Sequence, residues 1–197
     1  MRVHIVFAHP SPTSFTAAVR DRVVGALTAK GHEVDELDLY AARFDPVLTP
    51  AEWAAHVNGG ANIASVAAEV ERLRKADALV LIFPTWWFGL PAILKGWFDR
   101  VWAPGVAFHL ATGGGGLRRG LANIRHFWVV TTHGSPWWVI AAGLGNPGRR
   151  VLMRGFTPLI ARGATTRFLA LYDMDRAERP RLERFLARVE RTFRFFG

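Results

Sequence analysis

The chain of 197 residues contains no cysteine. Disulfides, thiolate metal sites and cysteine nucleophiles are excluded, and the absence fits a reducing compartment. Lysine is nearly missing. Lys30, Lys75 and Lys95 are all there is, so the net charge of +9 rests almost wholly on arginine. No apolar run reaches the ~20 residues that cross a bilayer. WWVIAAGLG is the most apolar late stretch, and MRVHIVFAHP has neither the apolar length nor the cleavage site of a signal peptide. A cytoplasmic protein without stable membrane insertion is expected. Several signatures are also lacking. No G-x-G-x-x-G or Gly-Lys-Ser/Thr loop follows the first strand, and there is no G-x-S-x-G elbow. His4, His32, His56 and His126 have no partners at metal-ligand spacing, so no metal is expected. The arginine-rich end, RAERPRLERFLARVERTFRFF, carries Leu182, Phe185, Leu186, Val189 and Phe193 at helical spacing, with the arginines mostly off that stripe. That pattern is a solvated amphipathic helix. No recognition motif accompanies the charge, so no nucleic-acid partner is expected.

What is present is an alternation of two hydrophobic periods. Half the residues are hydrophobic, enough for a substantial core. RVHIVFA (2–8) reads as a strand. A helix follows over 14–31, with Phe15, Val19, Val23 and Leu27 as its buried stripe and Gly31 as its end. HEVDELDL (32–39) alternates like an edge strand, and SVAAEVERLRKA (65–76) reads as a helix. DALVLIF (77–83) is continuously apolar, as a parallel strand covered on both faces must be. Pro91 then opens a helix with a stripe of Ile93, Leu94, Trp97, Phe98, Val101 and Trp102. RHFWVVTTHG (125–134) is a strand, and a helix falls somewhere in 147–162. TTRFLALYD (165–173) is the last strand and 176–195 the last helix. Residues 105–121 form a long excursion, with GGGG (113–116) as a flexible loop. About five strand–helix units predict an α/β three-layer sandwich. The five-stranded parallel sheet takes the flavodoxin-like order 2-1-3-4-5, as a single domain over 1–197.

In such a sheet, ligands bind beyond the carboxyl ends of the strands, where the strand order switches. Three loops with unusual chemistry leave those ends. AHPSPTSFTAAV (8–19) offers Ser11, Thr13, Ser14 and Thr16 at a helix start. Those hydroxyls serve either as N-caps or as an anion seat. PTWWFGLP (84–91) places Trp86, Trp87 and Phe88 where the sheet stops. They form a wall for a flat ligand, an aromatic lid or a dimer contact. TTHGSPWW (131–138) brings Thr131, Thr132, His133 and Gly134. Its backbone N–H groups suit an oxygen that gains negative charge, and His133, with an ordinary pKa near 6.5, either touches the ligand or is structural. Together the loops describe a flavin site.

The residues resemble the NAD(P)H quinone oxidoreductase family of flavodoxin-like fold. AHPSPTSF is similar to that family's first flavin loop. FPTWWFGLPAILKGWFDRV follows its Pro-x-x-Trp-Phe-Gly-x-Pro-Ala-x-Leu-Lys-Gly-Trp-Phe-Asp/Glu-Arg block nearly residue for residue, and TTHGS resembles its Thr-Thr-Gly-Gly loop. The resemblance implies tightly bound FAD or FMN, a homodimer, and ping-pong hydride transfer from NAD(P)H to a quinone or similar flat acceptor. It implies that His9, Ser14, Phe15 and Thr16 hold the flavin's phosphate side. Thr85, Trp86, Trp87 and Phe88 hold its ring, and Thr131, Thr132, His133 and Gly134 its pyrimidine edge. His133 departs from the family, standing where it has the first Gly of the pair, and is read here as the catalytic residue. Mammalian-type members carry a Tyr and a His beyond the third loop; SPWWVIAAGLGNPG has neither. Two other roles fit this kind of chain, an ancillary flavoprotein subunit of a membrane transporter and a flavodoxin-type electron carrier.

Overall fold

The computed structural model describes residues 1–57, 63–109 and 116–197. Its centre is a five-stranded sheet of β1 (Arg2–Phe7), β2 (Glu33–Asp38), β3 (Ala78–Pro84), β6 (His126–Thr132) and β7 (Thr165–Leu171). The order is β2-β1-β3-β6-β7 and every pairing is parallel. With the two-residue strands β4 (Phe108–His109) and β5 (Arg118–Arg119) set aside, this is the order 2-1-3-4-5.

Each face of the sheet buries its own layer of helices. On one face α1 (Phe15–Ala29) and α6 (Arg179–Phe193) cover Val3, Ile5, Val80, Ile82 and Val130. On the other, α3 (Ala67–Lys75) and α4 (Ala92–Val101) cover Val6, Leu79, Leu81, Phe127 and Val129. All seven residues of β3 are buried, as its unbroken apolar run requires. Trp97, Phe98 and Trp102 of the aromatic block are core, all less than a tenth exposed. Gly96 lies where α4 meets the chain most closely: a Cβ there would sit 2.2 Å from the Pro46 carbonyl oxygen.

One element lies outside the strand–helix alternation read from the sequence. Helix α2 (Pro50–Val57) packs through a buried ion pair, with Arg100 Nη2 of α4 at 2.7 Å from Glu52 Oε1. Arg100 also donates to the Asp45 carbonyl and to Ser65 Oγ, so one guanidinium ties Asp45, Glu52 and Ser65 to α4. Burial raises the Glu52 pKa, but hydrogen bonds from Arg100, Ser65 and Thr49 outweigh it and hold the carboxyl down at about 2.

Other differences are local. The helix expected in 147–162 is four residues of α5 (Pro147–Arg150), a π-helical turn over Val151–Phe156 and a 3₁₀ turn over Thr157–Leu159. Its apolar spacing therefore never settles to 3.6. The excursion 105–121 contains the β4–β5 pair, while 110–115, including most of the GGGG loop, lies outside the described residues. The last strand ends at Leu171 and the last helix starts at Arg179, each shorter than the pattern suggests. No described helix is long and apolar enough to cross a membrane.

Candidate functional site

The carboxyl ends of β1, β3 and β6 are neighbours in the sheet, so their loops share one rim. After β1, Ser11 N–H donates to His9 Nδ1 at 3.0 Å, holding the ring 6.4 Å from that of Trp86. Ser14 is the N-cap of α1: its Oγ accepts the Ala17 N–H at 3.1 Å. Thr16 is buried in the first turn.

After β3 the backbone is locked and then strained. Thr85 donates twice to the Thr132 carbonyl, through its N–H and its hydroxyl, each at 2.8 Å. Trp86 and Gly89 exchange backbone hydrogen bonds of 3.3 and 3.1 Å around Trp87 and Phe88, whose φ angles are +50° and +63°. Two successive left-handed residues make a type I′ turn, which Asn-Gly fills at low cost. Two aromatics there cost on the order of 1 kcal/mol each or more. Trp87 is 95% exposed, so packing gives nothing back. Replacing Trp87-Phe88 with Asn-Gly should therefore raise stability in the absence of ligand by roughly 1–2 kcal/mol. Urea unfolding measures it, and a loss of stability would show that the turn is not strained.

After β6, Thr131 and Thr132 finish the strand, and His133 N–H donates to the Leu171 carbonyl of β7 at 2.7 Å. The His133 side chain is 1% exposed. It stacks on Tyr172, with ring centroids 4.7 Å apart and planes 9° from parallel. Tyr172 Oη accepts from Asn146 Nδ2 at 3.1 Å. His133 Nδ1 lies 3.0 Å from Thr85 Oγ1. Since that hydroxyl gives its hydrogen to the Thr132 carbonyl, Nδ1 is the protonated nitrogen and Nε2 carries the lone pair. Nε2 is buried without a partner among the described residues. Burial also pushes the His133 pKa down to about 4, so the ordinary value near 6.5 does not hold.

A cavity of about 400 Å³ opens between the loops, lined by His9, Phe15 and Thr16, by Pro84, Thr85, Trp86 and Trp87, and by Thr132 and Gly134. A smaller hollow of about 230 Å³ shares Thr85, Trp87 and Gly134 and adds Phe88, His133, Ser135 and Ile140. Of the residues singled out in the sequence, Ser11, Thr13, Ser14 and Thr131 line neither: Ser11 and Thr13 bond to each other, Ser14 caps α1 and Thr131 is buried in the sheet. Two others went unnoticed, Met174 and Asp175, which close the main cavity from the loop after β7. A Cβ on Gly134 would come within 2.5 Å of Asp175 Oδ2, so the carboxylate sits directly over that glycine. The signal available was topological, since β7 lies beside β6 and its outgoing loop must share the rim. A larger hollow of about 530 Å³ between α1 and α6 is a surface trench beside the Arg22–Glu190 ion pair, away from the strand ends.

Fold and rim together define an α/β protein with a cavity at the switch point of a parallel sheet, the place where open sheets of this kind bind ligands. Residues 1–192 match the Flavodoxin_2 family, described as having a flavodoxin-like fold, and the chain belongs to that family. It is 39% identical over 127 residues to NAD(P)H dehydrogenase [quinone] 1 of Rattus norvegicus, a match covering 56% of this chain and 46% of the rat protein. It is 37% identical over 108 residues to the uncharacterized NAD(P)H oxidoreductase YcaK of Escherichia coli K12, covering 54% and 55%. The chain thus spans about half the length of these curated relatives. Among solved structures, the NAD(P)H:quinone oxidoreductase of Methanothermobacter marburgensis superposes with a TM-score of 0.85 at 30% identity, covering 100% of this chain and 99% of that one. Smu.1420 of Streptococcus mutans superposes with a TM-score of 0.87 at 31% identity, covering 98% and 99%.

Proposed function

We propose that the protein is a flavin-dependent NAD(P)H oxidoreductase. Donor and acceptor use one pocket in turn, and the acceptor is a quinone or similar flat aromatic molecule. The observation that carries this reading is the cavity at the ends of β1, β3 and β6, walled by aromatics in a turn whose strain the fold does not need. The residues fit a flavin. The two joined hollows offer length for a ring and a tail, Trp86 and Trp87 offer a flat face, and the buried Nε2 of His133 awaits a donor. When bound, FAD or FMN supplies two-electron hydride chemistry.

In this reading His9, Phe15 and Thr16 hold the phosphate side at the start of α1, with Ser14 fixing the helix end that faces it. Thr85, Trp86, Trp87 and Phe88 hold the ring. Thr132, His133 and Gly134 hold the pyrimidine edge, with Thr131 anchoring that loop in the sheet. His133 acts as a neutral group, Nδ1–H fixed on Thr85 and Nε2 accepting. The active form is a cytoplasmic homodimer. Its apolar contact is supplied by Trp87, Trp137 and Trp138, exposed by 95%, 62% and 59% on or beside the same rim.

The purified protein should carry, or take up, FMN or FAD and gain thermal stability, by about 2.7 kcal/mol at a hundredfold excess over the dissociation constant. Initial-rate plots against NAD(P)H at several fixed quinone concentrations should be parallel. Retention of neither flavin through gel filtration, with an unchanged melting temperature, refutes the cofactor; intersecting lines refute the shared pocket.

Ser14→Asp gives a cleaner probe of the phosphate side. Aspartate caps a helix as well as serine does, so α1 should keep its start. The added charge should nevertheless weaken flavin binding by about tenfold or more. Unchanged affinity in the folded variant, read by fluorescence titration, places the phosphate elsewhere.

A further inference from the structure

The chain's charge is segregated in a way the flavin pocket does not use. No aspartate or glutamate occurs between Asp99 and Asp173. That stretch holds nine arginines and no lysine, while outside it sixteen basic residues face sixteen acidic ones. The whole excess of +9 therefore belongs to one segment. Outside it several arginines meet carboxylates, as in Arg179–Glu183 and Arg194–Glu190 of α6, while others, Arg184, Arg188 and Arg191 among them, have no ion pair among the described residues. Within the segment, Arg100 and Arg125 reach back to Glu52 and Asp77, and Arg167 lies 5.1 Å over the ring of Trp128. Arg119, Arg154 and Arg162 have no ion pair among the described residues, and all three line one groove of about 460 Å³.

The groove has further features of a site. Thr157 lines it, and the Thr157 hydroxyl is buried with no hydrogen-bond partner among the described residues. Met153, Pro158 and Ile160 give it an apolar wall. It also lies at the other end of the sheet from the aromatic rim. Ala164 in its lining precedes β7, whereas Met174 of the rim cavity follows it. The intervening strand is about 20 Å long at the usual rise per residue.

We propose that this groove binds a phosphate-bearing small molecule. Like charges gathered without acidic neighbours repel one another, and a buried hydroxyl without a partner is a liability. A phosphate answers the first directly, because its oxygens accept from guanidinium forks in pairs, and the second once the Thr157 side chain turns its hydroxyl out to the groove. The volume falls in the range of small-molecule sites. The apolar wall suits a ligand whose phosphate is attached to a flat or aliphatic body. The proposal does not depend on the reading of the rim cavity, since no residue is shared between the two.

The test uses the full chain loaded with FMN and freed of unbound FMN by gel filtration, so that the rim cavity is not free for the probe and no flavin competes for the groove, with Ser14→Asp as a control for that cavity. Pyrophosphate and AMP are titrated calorimetrically at fixed ionic strength, and vesicles of phosphatidylcholine with and without phosphatidylglycerol are sedimented with the protein. One site per chain is expected, unaffected by Ser14→Asp. Arg154→Ala/Arg162→Ala should weaken it by about tenfold or more. Both arginines are exposed, so the double variant should fold. Thr157→Val should weaken binding while leaving the melting temperature equal or higher, which a merely structural hydroxyl would not do. Binding of AMP without vesicle association identifies a free phosphate compound, and vesicle association lost in the double variant identifies a lipid headgroup. Either supports the site. Absence of both, or an affinity unchanged by the arginine or threonine substitutions, overturns it.

Discussion

Replacing Arg100 with methionine should lower the free energy of unfolding by about 3–5 kcal/mol, the usual cost of breaking a buried ion pair by removing one partner. The pair has the required geometry. Both side chains are under a tenth exposed, and Arg100 donates to Glu52 Oε1 through Nη2 at 2.7 Å and Nε at 3.1 Å. Thr49 adds its N–H and hydroxyl at 2.8 and 2.9 Å on the other carboxylate oxygen. Methionine fills most of the volume but takes a full charge away from a buried carboxylate. The deficit should also depend on pH. Glu52 has its pKa lowered to about 2 from 4.5. Its share of stability is complete above 4.5 and is lost as pH falls from 4.5 through 2. In the variant Glu52 protonates more readily, so the two stability curves should converge at low pH. Urea unfolding at pH 7 and pH 3 reads both effects. A deficit below about 1 kcal/mol at pH 7 would make the pair no better than an exposed one. Glu52→Leu/Arg100→Met, which removes both charges, should recover much of the loss.

His133 should make the folded protein acid-sensitive over a different interval. Its pKa lies at about 4 in the fold against 6.5 for a free imidazole. Between those values the unfolded chain binds a proton that the folded chain refuses. Stability from this group is thus complete above pH 6.5, falls as pH drops from 6.5 to 4, and falls no further below. The difference amounts to about 3 kcal/mol. Wild-type protein should lose that much more than His133→Asn on going from pH 7 to pH 4, because asparagine does not titrate. Denaturant melts at the two pH values measure it, and equal losses in the two proteins would mean that the imidazole is hydrated in the fold. A neutral His133 also removes the break near pH 6.5 that the sequence alone suggests for activity. Its contribution to kcat/KM should be flat from pH 5 to 9.

The sheet was legible in the sequence because buried parallel strands leave continuous apolar runs, as in DALVLIF, and because Trp97, Phe98 and Trp102 repeat at helical spacing. Convergence of the first three loops followed from strand order alone. What escaped depends on contacts distant in sequence. Helix α2 does have a local signal, the Thr49…Glu52 capping box with Pro50 at the first helical position, but its place in the fold is held by an arginine 48 residues further on. Ser14 reads equally as a cap or as an anion seat, since both uses need the same hydroxyl at the same place. The burial of His133 is decided by Tyr172 and Thr85 together, and nothing in the stretch read as the last strand marks Tyr172 as its stacking partner. Met174 and Asp175 are ordinary residues on an ordinary loop, placed at the rim only by the neighbour their strand happens to have.

The eight tryptophans of the chain form two optical populations. Trp97, Trp102 and Trp128 are buried, by 93% or more, in the layers on either side of the sheet. Trp53, Trp86, Trp87, Trp137 and Trp138 are 41–95% exposed, and all but Trp53 follow the ends of β3 and β6. The first group emits from an apolar medium and is shielded from iodide; the second emits from water and is open to it. Collisional quenching therefore separates two events in one spectrum. The quenchable fraction falls when the rim is filled or covered by another chain, and the shielded fraction becomes quenchable only as the core comes apart.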